Sequence, residues 1–182
     1  VPGFGPFGAK LLVVGLAPGV KGANRTGRPF TGDHAGLLLY ATLLRFGWAR
    51  GVYGAAPDDG LTLTGCRIVN AVRCVPPANL PLPAEVAACR GFLAGELAAM
   101  ARPGVVLALG VVAHDAVLRA LALKPARLAF RHGALHALPD GRTLADSYHV
   151  SRYNTNTGRL TEAMFRDVVA AITPPPAPPA PP

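Results

Sequence analysis

The sequence runs to 182 residues, of which 51% are apolar, the size and apolar content of one domain with one core. Its 18 Lys and Arg against 10 Asp and Glu give a net charge of +8, carried almost wholly by Arg; this bias suits phosphate contacts, although an Arg- and Ala-rich genome composition produces it too. Gly, Pro, Arg or Asp breaks every apolar run before the roughly 18 residues of a membrane-spanning helix, which excludes that class and leaves a soluble, cytoplasmic protein as the expectation.

The chain opens "VPGFGPFG", with neither an initiator Met nor the regions of a signal peptide, so the expectation is that an upstream segment has been lost. Short apolar runs then alternate with helix-length amphipathic stretches. Strands are predicted at 11–15 ("LLVVG"), 66–71 ("CRIVNA"), 105–110 ("VVLALG") and 143–149 ("TLADSYH"), and the first and third are apolar on both sides, as buried parallel strands are. Helices are predicted at about 34–47, 84–101, 111–122 and 161–172. Pro83 with Glu85, and Thr161 with Glu162, mark two of their N-termini. Strand and helix in alternation imply a parallel sheet covered on both faces. The last ten residues, "TPPPAPPAPP", are expected to form an extended, disordered tail.

Ligands of such sheets bind beyond the carboxyl ends of the strands. Three unusual segments fall there: the loop Gly15 to Asp33, "NAVRCVPP" from Asn70, and "YHVSRYNTNTGR" from Tyr148 to Arg159, read as a polar, flexible stretch. The first loop has glycines that bring backbone N–H groups toward an anion or a base edge, but neither the phosphate-loop nor the dinucleotide spacing. Three cysteines, an odd number without secretory context, argue against a disulfide framework and leave reduced thiols or metal ligands.

The segments "GLAPGVKGANRTGRPFTGD", "NAVRCVPPANLPLPAEVAAC" and "YHVSRYNTNTGRLT" together resemble the uracil-DNA glycosylase superfamily, in its iron-sulfur branch called family 5 or type b. The resemblance extends in register from Val1 to about Ile172, so 1–172 is expected to be one glycosylase-like domain. It implies a three-layer α/β/α sandwich around a short, mainly parallel sheet. It also implies an enzyme, acting as a monomer, that flips a deaminated base such as uracil or hypoxanthine out of DNA and hydrolyses its N-glycosidic bond.

Carried over residue by residue, the resemblance gives Phe30 as the aromatic platform for the flipped base, with ordinary core packing as the alternative. Gly15 lends backbone to the base pocket, and the Asn70 amide reads the base edge. His149 stabilises the departing anionic base, and Asp33 holds the water, unless its carboxylate caps the helix that follows. Asn154 joins the base pocket or supports its loop, and Arg152 and Tyr153 enter the DNA groove. Cys74 and Cys89 match two of the four thiolates of a [4Fe-4S] cluster, whose other two lie in the branch upstream of the first strand; Cys66, inside a strand, reads as a buried apolar side chain.

Two rival readings stay open on the residues alone. One is a non-catalytic iron-sulfur module that binds nucleic acid, to which Asp33 and His149 would be superfluous. The other is a nucleotide-processing enzyme with Lys21 on the phosphate.

Overall fold

The computed structural model describes residues 1–174; most of the proline-rich tail, from residue 175 on, lies outside the described residues. Thr173, the first residue of the segment expected to form that tail, accepts a 2.8 Å hydrogen bond at Oγ1 from the Trp48 indole.

The four predicted strands form, as β1 (Leu11–Gly15), β4 (Cys66–Asn70), β5 (Val105–Leu109) and β7 (Thr143–Ser147). All pair in parallel, and β6 (Leu135–Ala137) adds an antiparallel edge that the sequence reading did not anticipate, giving the order β4-β1-β5-β7-β6. A further unpredicted hairpin joins β2 (Ala49–Arg50) and β3 (Thr62–Leu63). Both additions are two or three residues long, too short for a periodic pattern to register.

Alternation along each strand splits the core into two layers. Leu11, Val13 and Leu107 face α2 (His34–Arg45) and α6 (Glu162–Ile172), meeting Leu39, Leu43, Phe165 and Val169. Leu12, Val14 and Val106 face α3 (Pro83–Ala99) and α4 (Val111–Ala120), meeting Leu93, Leu97, Ala113 and Val117. This is the expected three-layer sandwich. No helix of the described residues is long and apolar enough to cross a membrane.

The helix ends follow local chemistry. Glu85 Oε2 accepts from Leu82 N at 2.7 Å at the start of α3, and the Thr161 side chain accepts from Met164 N at the start of α6. The register places Gly15 beside Asn70 and Leu109 beside Ser147, so the segments that follow them converge at one edge of the sheet.

Candidate active site

Beyond β1 the chain enters the long glycine-broken loop, whose short helix α1 (Ala23–Thr26) ends at Gly27 with φ 74°. Phe30 then takes φ 54°, a left-handed conformation that costs a bulky residue energy and persists only where neighbours hold it. The neighbours are identifiable. Tyr40 Oη donates to Pro29 O at 2.6 Å and Tyr53 Oη to Phe30 O at 3.0 Å, while Gly36 leaves the space that a Cβ would deny to Phe30 O and the Tyr53 hydroxyl. Beneath them Arg28 makes a bidentate pair with Asp59, at 2.9 and 2.7 Å, and donates to Thr31 Oγ1 at 2.7 Å. Both side chains of that pair are 5% exposed, and the Arg28 guanidinium holds the Asp59 carboxyl well below the usual carboxylate range.

Asp33 stands at the N-cap position of α2, yet its side chain makes no capping hydrogen bond. Its Oδ1 is buried without a protein partner. Its Oδ2 packs over Gly22 and Gly19: a Cβ at Gly22 would run into the carboxylate, reaching its Cγ at 2.8 Å, whereas one at Gly19 would stand 3.4 Å from Oδ2. The carboxylate is thus seated by glycines, with a lone pair left over, at a helix N-terminus that favours negative charge.

Asn70 closes β4 and is 8% exposed, with its Oδ1 also lacking a partner. Gly15 lets it approach, since a Cβ there would collide with both Asn70 Oδ1 and the tip of the Phe30 ring. The Phe30 ring, 6% exposed, lies with its centroid 6.0 Å from that of His149 and tilted by 33°. Phe30 therefore packs in the core, the alternative reading of it, with its ring beside that of His149.

His149 lies two residues beyond the end of β7, where the predicted strand had been carried on to 149. Burial pulls its pKa down to about 4, so the imidazole is neutral at physiological pH. The Asn154 amide donates to His149 O at 2.8 Å, which puts Asn154 behind the histidine as a support for its backbone. The stretch read as flexible is in part helical: α5 (Arg152–Asn156) is capped by Ser151 Oγ, which accepts from Asn154 N at 3.3 Å. His34 Nε2 lies 3.0 Å from Thr155 Oγ1 and ties α5 to the start of α2.

These segments enclose an open cleft of about 660 Å³, within the size range of small-molecule sites. Asp33, His34, His149, Arg152 and Lys21 line it, whereas the nearly buried Phe30 and Asn70 are not among its lining residues. Tyr153 projects at 71% exposure. Cys74 is exposed and Cys89 half-buried, while Cys66 is buried in β4, where desolvation pushes its thiol pKa up and makes a thiolate costly. Val1 N donates to Arg73 O at 2.5 Å, which brings Val1 beside the segment that carries Cys74.

Sequence reasoning missed Gly22, the Arg28–Asp59 pair and Tyr53. Gly22 stood in the quoted loop, but nothing local marks which glycine faces a carboxylate. Arg28 and Asp59 are 31 residues apart, and no periodic signal joins them.

A parallel-sheet sandwich with an unpartnered carboxylate and a neutral histidine on a cleft at the strand carboxyl ends has the makings of a hydrolase. The comparisons give the particular family. The profile of the Uracil DNA glycosylase superfamily matches residues 2–173, and the chain belongs to that superfamily. It is 48% identical over 169 residues to the "Type-5 uracil-DNA glycosylase" of Thermus thermophilus, covering 93% of this chain and 77% of that protein. It is 43% identical over 169 residues to the protein of the same name from Pyrobaculum aerophilum, covering 93% and 73%. A "Type-4 uracil-DNA glycosylase" of Thermotoga maritima is 37% identical over 114 residues, covering 62% of this chain and 51% of that protein.

Proposed function

We propose that this protein is a monofunctional DNA-repair glycosylase that takes uracil, and hypoxanthine as a second deaminated base, out of DNA and leaves an abasic site. The observation that carries the reading is the Asp33 carboxylate: it occupies an N-cap position, does not cap, and keeps a buried oxygen unpartnered next to a neutral histidine. A carboxylate relieved of its structural duty can orient a water.

In the mechanism that follows, the flipped base enters the cleft against Phe30, and the Asn70 amide meets its edge. As the bond between sugar carbon and base nitrogen breaks, its electron pair passes to the base, and negative charge grows on the base carbonyl. The neutral His149 imidazole donates an N–H toward that oxygen, a preorganised dipole in a partly dehydrated site. The sugar left behind has oxocarbenium character, which the Asp33 anion stabilises. Water held by Asp33 adds to the sugar carbon and gives up a proton to the Asp33 carboxylate; that proton passes through solvent to the departed base anion, which leaves as the neutral base and completes hydrolysis. Arg152 and the exposed Tyr153 contact the DNA backbone and the gap left by the base, offsetting the few kcal/mol that extrusion costs.

The same reading makes Cys74 and Cys89 ligands of a [4Fe-4S] cluster. Their accessible thiols support it. The three cysteines of this sequence fall short of the four thiolates a cluster takes, and Cys66, buried in a strand, is not placed to join the matched pair. No catalytic step passes through it. Iron and sulfide content of purified protein, with and without Cys74→Ser, tests this part.

The functional test is strand cleavage by alkali after incubation with duplexes carrying one uracil or one hypoxanthine, beside an Asp33→Ala control. Breaks that require Asp33 are the expected result. Tight binding without breaks would favour the non-catalytic module.

A further inference from the structure

We propose that His132 is a positioning residue for His149, acting through the backbone of Tyr148. His132 stands outside the cleft. Yet its Nδ1 accepts the Tyr148 backbone N–H at 3.1 Å, and its ring stacks on the Tyr148 ring with centroids 4.8 Å apart and planes 13° from parallel. The Tyr148 carbonyl is held as well, by Ser147 Oγ at 2.9 Å, and the Arg159 guanidinium lies 4.8 Å from the Tyr148 ring centroid. The residue immediately before the catalytic imidazole is thereby tied at its amide, its carbonyl and its ring.

A tie fixes nothing unless its far end is fixed, and here it is. The loop carrying His132 is anchored to β7 by Asp146, which is fully buried. Asp146 Oδ1 lies 2.7 Å from His114 Nδ1, and Oδ2 accepts from His136 Nε2 at 2.9 Å and from Arg131 N at 3.3 Å. His114 reaches the same loop with its other nitrogen, 2.8 Å from Leu128 O. The backbone of Asp146 adds bonds from Gly133 N at 2.8 Å and to Ala134 O at 3.0 Å. His132 thus sits at the tip of a loop bound on both sides to the strand that leads into His149.

The contact also dictates chemistry. An Nδ1 that accepts a backbone N–H carries no proton, so His132 is the neutral tautomer protonated at Nε2. Burial lowers its pKa and favours that form.

This inference rests on His149 acting on the base, so the test reads the contact and the catalysis separately. His132→Leu keeps bulk but removes the acceptor, whereas His132→Asn puts an amide oxygen near the place of Nδ1. In His132→Leu the Tyr148 amide should exchange hydrogen about tenfold faster than in the native protein, with melting temperature nearly unchanged. Its kcat for uracil release should fall about ten- to a hundredfold while KM stays within about twofold, as expected when a reacting group is misplaced without loss of binding. His132→Asn should recover most of both losses. If His132→Leu does not fold, His132→Asn is compared with His132→Gln, whose oxygen reaches the place of Nε2 instead. Unchanged Tyr148 exchange would overturn the contact, and faster exchange with unchanged kcat would overturn the positioning role. A native protein that releases no uracil would instead fail the glycosylase reading, and the exchange measurement would still judge the tie.

Discussion

Replacing Gly22 by Ala puts the role of Asp33 to a direct test without touching the carboxylate chemically. The φ of Gly22 is −99°, outside the left-handed region, but its ψ of −110° lies outside the regions ordinary residues favour, so Ala there carries a backbone cost as well. The clash adds to it: the new methyl would sit 2.8 Å from Asp33 Cγ and 2.9 Å from its Cβ, and nearer still to Oδ2. Restoring ordinary contact, at 3.4 Å or more, displaces the carboxylate by about 1 Å, a misplacement that costs on the order of a hundredfold in rate. Gly19→Ala is the internal comparison, because its methyl would meet the same oxygen at 3.4 Å, a contact of only slight crowding. Single-turnover release of uracil from a labelled duplex, measured well below the melting temperature of each variant, should therefore fall about a hundredfold in Gly22→Ala and far less in Gly19→Ala. Equal losses in the two variants, or a Gly22→Ala protein within about threefold of native, would refute the seating of Asp33 as the source of the rate.

Because burial holds His149 near pH 4, kcat/KM should show no acid limb at the ordinary histidine value of about 6.5; a limb there would mean a solvated imidazole. The depressed pKa also contributes stability that is fully present above about pH 6.5 and is lost as pH falls toward about 4, so His149→Ala should flatten the melting temperature over that interval. Asp59→Asn should destabilise the fold by about 2–3 kcal/mol in urea, somewhat less than for a deeply buried pair because Asp59 lies on a surface loop, and slow excision through the loosened Phe30 loop. Its carboxyl is held low in the folded state, so the pair stabilises at neutral pH and that contribution is lost below about pH 4. Gly15→Ala should drive Phe30 and Asn70 apart and weaken binding to uracil-containing duplex more than to undamaged duplex; equal losses, measured by fluorescence anisotropy, would count against a base pocket at that point.

The four main strands and four main helices were legible because each is long enough to carry its own period, and the alternation of the two already implied a covered parallel sheet. Ends were less so: the strand drawn to His149 stops at Ser147, since ladder bonds are a property of the partner strand as much as of the sequence. The three motifs likewise pointed to one end of the sheet, where Asp33, His149 and Arg152 line a common cleft, because a loop that keeps Gly, Asn, Phe and Asp after a buried strand is costly without a ligand.

What a linear sequence could not decide was how each named side chain is employed. That the Asp33 side chain makes no capping bond, and that Gly22 and Gly19 seat its carboxylate, is visible only in the packed fold. The same holds for Asn154, whose amide donates to the carbonyl of His149. His114, His132 and His136 belong to none of the three motifs, and the pairing of β6 with β7 joins them to Asp146 and the backbone before His149. Local periodicity and motif spacing are written along the chain, so sequence carries them. Hydrogen bonds between residues tens of positions apart, and the room a missing Cβ leaves for a distant carboxylate, exist only once the layers have packed.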